Sequence, residues 1–476
     1  MAITPRDSFK IFWSYGRSKA GVFLLVFFIA VSLYVVATYS PEYSRLIWNN
    51  PAAWEEYPKS VPPVWTNFFS PITRLENTIL TTGSPRVTTM GSDRIYTWTI
   101  RYNYVADEFP TFLLFRVEEL RYWRSPPIIT LSVQRPDGSK IDLFTFIPPP
   151  PRPGENPPII RFDASPYRVK LDAETQTTRA VSSFLFEKYQ LVISPSDIAS
   201  TGVQPYVFGQ PRADKNFTVL KGVYEFQINA RVFDERDAIS RSAVVLGGAV
   251  YGLMGTDTIG RDLAVGLLLG FPTSLFVGVI TSVFVTAIGA VLGTVGGYLG
   301  GRVDELIQRA ADIVNNIPLL PLTIFLIFVI GPSITNIVLV LVVFGWPGLT
   351  IIVRSVVLQV RESQFVEVAK VLGSSTSRLV FLHIMPQVLP FIVAQMIFFV
   401  PNFILLEAAL SFLGLGDPSL PTWGQLLELG FRNNAVYLGY WWWILPPGLL
   451  IVIVAVVFVL IALGMEPVVN PRLRRR

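Results

Sequence analysis

Chemistry has few places to reside in this chain. There is no cysteine and a single histidine, His383, which removes thiolate nucleophiles, disulfides, Cys-ligated zinc and multi-histidine metal sites. No Gly-x-x-x-x-Gly-Lys-Ser/Thr loop occurs, so the chain has no cradle of its own for nucleotide phosphates. Three constellations remain. Glu407 follows a long uncharged run, where a carboxylate suits a proton relay or, more simply, a local hydrogen bond near Ser411. Asp257, Arg261 and Asp262 can pair across a turn at the outer surface, as a structural salt bridge before a gate. Phe365, Val368, Ala369 and Leu372 recur at i, i+3, i+4 and i+7, the spacing of one apolar helical face. Glu367 and Lys370 sit off that stripe, Gly373 stops the helix, and Ser374, Ser375 or Thr376 caps a second short helix over 379–383. Such a knob needs something to bury its apolar face, either the chain's own helix ends or a groove in a partner protein. His383 reads as a hydrogen-bonding residue of this loop.

The elements that must hold these residues lie in a membrane. Of 476 residues 51% are hydrophobic and only 15% charged, against about 25% charged in ordinary soluble domains. Uncharged runs at 20–41, 263–301, 313–353, 384–406 and 433–465 are each long enough for a helix of about 20 residues to cross about 30 Å of hydrocarbon. The 313–353 run accommodates two, with Gly331-Pro332-Ser333 as the turn. Pro272 suggests a break in the second run, leaving 262–270 along the interface and 273–296 crossing. The expectation is six transmembrane helices. The first is retained as an anchor, because no small-x-small cleavage site follows at Tyr39-Ser40-Pro41-Glu42.

Basic residues set the orientation. Arg6, Lys10, Arg17 and Lys19, then Arg302 and Arg309, then Arg354, Arg361, Lys370 and Arg378, and finally Arg472, Arg474, Arg475 and Arg476 all fall on one side. Both termini are therefore expected in the cytoplasm, and 41–250 outside. The net charge of +5 comes with no basic stripe, which argues against nucleic acid as a partner. Gly289 and Gly293 form a small-xxx-small pair for close helix packing. Trp441-Trp442-Trp443 suits the aromatic belt at the outer interface.

The external segment reads as a β-rich insertion between helices 1 and 2, with a β-sandwich the favoured fold. Residues 94–104 are rich in aromatic and β-branched types. Segments 130–134 and 141–146 flank Pro136-Asp137-Gly138, a hairpin turn. In 222–233, Val223, Tyr224, Phe226, Ile228 and Val232 are candidates for a buried face. A rigid spacer is the plainest role, followed by a docking surface for a solute-binding protein. A sugar-binding module would use Trp98 or Trp123, which core packing explains more simply. Asn216-Phe217-Thr218 is a glycosylation sequon.

The knob also carries a family resemblance. Glu367-Val368-Ala369-Lys370-Val371-Leu372-Gly373, continuing to His383-Ile384-Met385-Pro386, resembles the EAA motif of ABC importer permeases, with Val368 and Met385 as apolar swaps. Gly255-Thr256-Asp257-Thr258-Ile259-Gly260-Arg261-Asp262 is similar to a signature of the dipeptide/oligopeptide class. So are Gly297 to Glu305 (GYLGGRVDE) and Glu407 to Gly416 (EAALSFLGLG, which includes Gly414), followed by Pro421-Thr422-Trp423-Gly424. The resemblance spans about 255–476; the large external segment departs from it. It implies a permease core over 251–476, after a cytoplasmic tail at 1–20 and a first helix at 21–40. The coupling loop, about 359–386, would seat in a cleft of an ATP-binding subunit. There Gly373 would allow close backbone approach, and Glu367 would favour the helix N-terminus. The implied partners are a second permease subunit, two ATPase subunits and an extracytoplasmic solute-binding protein, with no cofactor and no ATPase site in this chain. Peptides are the expected cargo and oligosaccharides the alternative. A membrane-anchored adhesion or sensory protein would need fewer spans and no such loop. A proton-coupled carrier would want more buried ionisable groups than Glu407.

Overall fold

The computed structural model describes residues 5–90, 93–172, 174–213 and 216–469; the arginines at 472–476 used for orientation lie outside them. Two compact units result: Met1–Asn50 with Leu263–Arg476, and Pro51–Asp262. The second division falls at Asp262 rather than at 250, so the segment carrying Asp257 and Arg261 belongs with the β unit.

The chain starts with α1 (Pro5–Ser14) and the apolar α2 (Gly16–Thr38). The β unit then contributes twelve strands among the described residues. One sheet contains β1 (Thr78–Thr81), β4 (Leu113–Tyr122), β7 (Ile159–Arg161), β8 (Tyr167–Lys170) and β12 (Ala238–Leu246). The other runs β2 (Arg86–Met90), β3 (Asp93–Tyr104), β11 (Gly222–Val232), β5 (Ile128–Gln134) and β6 (Lys140–Phe146). A small hairpin pairs β9 (Gly209–Pro211) with β10 (Phe217–Val219). All strand pairs are antiparallel. Side chains of both large sheets, among them Phe115 and Val117 on β4 and Phe226 and Ile228 on β11, join one core.

The period of two decides which residues reach that core. On β11, Tyr224, Phe226, Ile228, Ala230 and Val232 are buried, whereas Val223 is exposed on the opposite face, against the sequence expectation. The turn at 136–138 joins β5 to β6 as expected. Gly138 takes φ +81°, Arg135 N–H donates to the Ser139 carbonyl at 2.8 Å, and Asp137 Oδ1 accepts from Ser139 N–H. Three helices, α3 (Thr175–Tyr189), α4 (Pro195–Thr201) and α5 (Gln204–Val207), were not expected. They supply Val181, Leu185, Ile198 and Val207 to the core. The buried Arg135 ties this region to the sheet by donating to the carbonyls of Tyr206 (2.9 Å) and Gly209 (2.7 Å). Trp98 is a core residue, and Trp123 is half-buried with the Arg236 guanidinium over its ring, 5.0 Å from the ring centre.

The helical unit continues with α6 (Leu263–Leu299), α7 (Gly301–Asn315), α8 (Leu319–Ile330), α9 (Ile334–Gly345) and α10 (Pro347–Arg361). Next come α11 (Gln364–Val371), α12 (Thr376–Arg378), α13 (Met385–Leu410), α14 (Trp423–Arg432) and α15 (Trp441–Val469). Pro272 does not break the second run: α6 is one 37-residue helix. The proline removes the N–H that would reach the Leu268 carbonyl. Side chains bond the carbonyls on either side of that gap, Trp423 Nε1 donating to Leu267 at 2.9 Å and Thr273 Oγ1 to Leu269.

The Gly331 turn forms as expected, with φ +98° and Ser333 capping α9 by accepting from Asn336 N–H at 3.2 Å. The helix before it starts later than expected. The amphipathic α7 runs to Asn315, and α8 leaves it at 79°. Twelve residues make α8 only about 18 Å long. Among the described residues five helices are long and apolar enough to cross a bilayer, or up to six if the bent α7–α8 pair is one span.

Glycines set the close approaches in this unit. A Cβ at Gly293 would lie 2.7 Å from the Thr350 carbonyl oxygen, and one at Gly289 would lie 2.9 Å from Leu349 Cβ, so α6 and α10 pack backbone to backbone. Gly21 brings α2 against Ile461 of α15 in the same way.

Candidate functional site

The elbow between α10 and α13 is built as a hinge-like bracket. The apolar α10 ends at Arg361, and α11 follows with Glu367 in its first turn, where its charge complements the helix N-terminus. Gly373 then takes φ +78°, a conformation that disfavours any side chain. Ser375 Oγ caps α12 by accepting from Arg378 N–H at 3.4 Å, and a wide-turn segment, Leu379–Ile384, leads into α13. His383 is half-buried within that segment and Pro386 is exposed in the first turn of α13.

Only one α11 side chain points inward. Val366 is fully buried in a cluster with Val353 and Val357 of α10 and Ile384, Val388 and Ile392 on the far side. The sequence stripe is real but faces out: Phe365 and Val368 are exposed, and Leu372 is 79% exposed beside Val371 at 83%. Ala369 is half-buried. Phe381 and Leu382 add to the same exposed apolar set. The chain's own helix ends therefore do not cover the knob. A Cβ at Gly373 would meet nothing within 4 Å, so in this chain the glycine serves the backbone turn and no internal close approach. Lys370 is drawn back, its Nζ 5.5 Å from the Tyr298 ring centre.

The bracket is braced by α7. Arg354 of α10 makes two parallel bonds to Asp304, Nε to Oδ1 and Nη2 to Oδ2, both 2.5 Å. This fork geometry fixes direction as well as distance. Both Asp304 and Glu305 come from the GYLGGRVDE segment, whose Gly300 and Gly301 adopt φ +66° and +55° at the sharp turn from α6 to α7.

At the other end of α13, Glu407 is buried and accepts from Ser411 Oγ at 2.6 Å. Thr422 Oγ1, at the start of α14, caps that helix by accepting from Gln425 N–H. Gly414 turns the chain with φ +81°. Gly416 and Gly424 leave no room: a Cβ would sit 2.3 Å from Ser411 Oγ and 2.6 Å from the Ala408 carbonyl oxygen, respectively. The carboxylate is thus the centre of a tight knot joining α13 to α14. Asp417, which the sequence did not single out, extends it by accepting from Ile334 N–H at the start of α9.

The remaining signature lies in the β unit. Asp257 and Arg261 form a buried pair at 2.5 Å, and Asp257 Oδ1 also accepts from the N–H groups of Ile259 and Arg261. The pair is interior rather than at the outer surface. Thr256 Oγ1 accepts from Val61 N–H at 3.1 Å, Gly255 and Gly260 take φ of +69° and +94°, and Asp262 bridges to Thr256. A Cβ at Gly260 would lie 2.9 Å from the Trp54 carbonyl oxygen. The signature clips the strand-to-helix connection onto the 51–61 segment. Asn216 is exposed on the connection between β9 and β10. Among the described residues no group of three His, Asp or Glu is placed to hold a metal ion.

Comparison with known proteins identifies this arrangement of helices. Residues 286–475 match the model of the binding-protein-dependent transport system inner membrane component, a match lying outside the β unit. The dipeptide transport system permease protein DppC of Bacillus subtilis (strain 168) is 34% identical over 222 residues, covering 46% of this chain and 69% of that protein. The oligopeptide transport system permease protein OppC of Escherichia coli (strain K12) is 40% identical, covering 42% and 66%. The probable D,D-dipeptide permease DdpC of the same organism is 35% identical, covering 50% and 78%. The chain spans only 58% of the B. subtilis oligopeptide permease OppC. A chain of the MetNI methionine ABC transporter aligns at 19% identity over 44% of this chain and 95% of its own, with a TM-score of 0.35, too low to carry an argument. The chain belongs to the family of binding-protein-dependent transport system inner membrane components.

Proposed function

We propose that this chain is one permease subunit of an ATP-driven importer for short peptides. The observation that carries it is the elbow. Phe365, Val368, Val371, Leu372, Phe381 and Leu382 stand exposed on a bracket whose α11 is locked between α10 and α13 through Val366. An exposed apolar surface on a braced lever is suited to a groove on a separate ATPase subunit. Two such ATPases, a second permease and an external solute-binding protein complete the assembly, and the names of the similar permeases support peptide cargo. The chain crosses the membrane six times with both termini in the cytoplasm; the bent α7–α8 pair supports the third crossing and the basic flanks support the orientation. The β unit, whose two sheets share a core as a sandwich would, serves as a rigid external spacer. The exposed Asn216 is open to glycosylation in hosts that modify sequons.

The test is uptake in proteoliposomes holding the whole importer, with labelled dipeptides, longer peptides and an oligosaccharide supplied in parallel. Gly373→Trp should insert normally but hydrolyse ATP without transport, while Gly373→Asn, which tolerates positive φ, should retain most uptake. Wild-type uptake in Gly373→Trp would refute the lever. Uptake of the oligosaccharide in place of peptides would reassign the cargo.

A further inference from the structure

The β unit carries an apolar projection that its core does not explain. The short 3-10 segment Val64–Phe69 holds Trp65, Phe68 and Phe69 outward; Phe68 is 92% and Phe69 81% exposed. Leu253 and Ile72 are exposed as well. These residues do not belong to a loose loop. Val64 N–H donates to the Gly252 carbonyl at 3.0 Å, and Trp65 Nε1 to that of Leu253 at 2.9 Å. Asn67 Nδ2 donates to the Arg74 carbonyl at 3.0 Å, and Asn67 Oδ1 accepts from Arg74 N–H. Trp65 and Phe68 both contact the Phe69 ring edge to face. The projection is therefore preformed, with its indole N–H already satisfied and the Phe68 and Phe69 rings largely exposed.

Two further observations indicate what it meets. Both contributing stretches, 61–73 and 247–256, contain no charged residue, and Lys59 and Arg74 flank the first. Neither stretch carries an ion of its own into the surface that leaves water, and the cations Lys59 and Arg74 suit anionic headgroups, although the Asp107 carboxylate accepts from Thr73 N–H and Asp257 follows the second stretch. The chain also tethers the projection to the bilayer. Leu253 precedes α6 so closely that even a fully extended connection could separate them by only about 35 Å. Exposed aromatic groups within a short chain length of a crossing helix are what the membrane–water interface selects.

We infer that Trp65, Phe68, Phe69 and Leu253 form an interfacial anchor that inserts among the lipid headgroups of the outer leaflet. The anchor would restrict the β unit to a narrow range of tilts over the membrane. It rests on the reading of α2 and α6 as crossing helices, but not on transport or cargo.

The absence of cysteine makes the test direct. Phe68→Cys in the full chain, labelled with an environment-sensitive fluorophore, is placed in nanodiscs of mixed phosphatidylcholine and phosphatidylglycerol. An inserted label emits to the blue, is quenched by lipids carrying a nitroxide near the headgroup, and is shielded several-fold from aqueous iodide. A label quenched fully by iodide and untouched by nitroxide lipid would overturn the proposal. So would shielding that appears only when the solute-binding protein is added, which would make the projection a protein-docking surface. Labelling at Trp65 as a second site guards against a local effect at residue 68. Loss of uptake with lipid quenching intact would count against the importer reading and leave the anchor standing.

Discussion

Gly293 marks the tightest backbone approach between α6 and α10, and alanine there tests whether the elbow is mounted on a rigid pair of helices. The added Cβ would lie 2.7 Å from the Thr350 carbonyl oxygen, 2.9 Å from Val353 Cβ and 3.0 Å from Val353 Cγ1. Favourable contact between carbons begins near about 3.5 Å, so the two helices must part by roughly half an ångström. Overpacking of this kind costs about 1–3 kcal/mol, while alanine in place of a helical glycine contributes about 0.8–1.0 kcal/mol of stabilisation. The net is a loss of up to about 2 kcal/mol. Gly448 in α15 supplies the contrast, because nothing lies within 4 Å of a Cβ there. Gly448→Ala should therefore stabilise by about 1 kcal/mol. Thermal unfolding of the purified full chains in one detergent should rank G448A above wild type and wild type above G293A, with G293L lowest. Uptake by G293A should fall too, since α10 leads directly into the elbow. A midpoint for G293A equal to that of G448A would refute the close-packed mounting.

Three further outcomes follow from the same geometry. Asp257→Ala removes the carboxylate paired with the buried Arg261 guanidinium and should cost about 3–5 kcal/mol of β-unit stability, read by chemical denaturation; an Asp257→Leu, Arg261→Met pair that recovers none of it would show that packing rather than charge is at stake. Burial pushes the Asp172 carboxyl up to about 6, so the folded state favours its neutral form, and the stability this contributes, full below about pH 4, is lost as pH rises through about 6. Asp172→Asn keeps the Oδ1 acceptor used by Leu113 N–H and Gln204 Nε2, and should unfold later than wild type at pH 7 with no advantage at pH 4; equal midpoints at pH 7 would contradict the burial argument. Glu407→Gln retains an acceptor for Ser411 and should sustain uptake, whereas Glu407→Ala should not; loss of uptake in the glutamine variant alone would point to a proton relay.

What could be read from the sequence were features set by neighbours along the chain. The helix stop at Gly373, the cap at Ser375 and the turn at Gly138 each depend on a few consecutive residues, and uncharged runs locate apolar helices without tertiary information. Gly289 and Gly293 were legible because small residues at that spacing have one obvious use. Features decided by distant partners were not. Pro272 sits inside α6, where the side chain of Trp423, far along the chain, bonds the Leu267 carbonyl next to the gap. The 313–330 run looked like one straight crossing, yet Asn315 ends an amphipathic helix and α8 turns away from it. A structural Asp257–Arg261 salt bridge was legible, but its burial was not, because nothing in the local sequence reveals that Ser60 and Val61 bond to this segment. The elbow's stripe was found, but its direction was fixed by Val366, a single residue off the stripe.

That direction bears on how force could travel. Val366 shares its cluster with Val357 on α10 and with Val388 and Ile392 on α13, so a push on α11 acts on both helices and cannot be absorbed within the loop. Along α10 it meets α6 at glycines that allow no slack, and through Arg354 it reaches α7 by a two-bond fork. Along α13 it meets Pro390 and Pro401 before the Glu407 knot. Each proline removes one backbone hydrogen bond from the helix, so α13 is weakest between two well-fixed ends. A lever held at the elbow and at Glu407 bends where its hydrogen bonding is interrupted. In this chain that places the compliant stretch of the moving helix at 390–401, away from both the elbow and the knot.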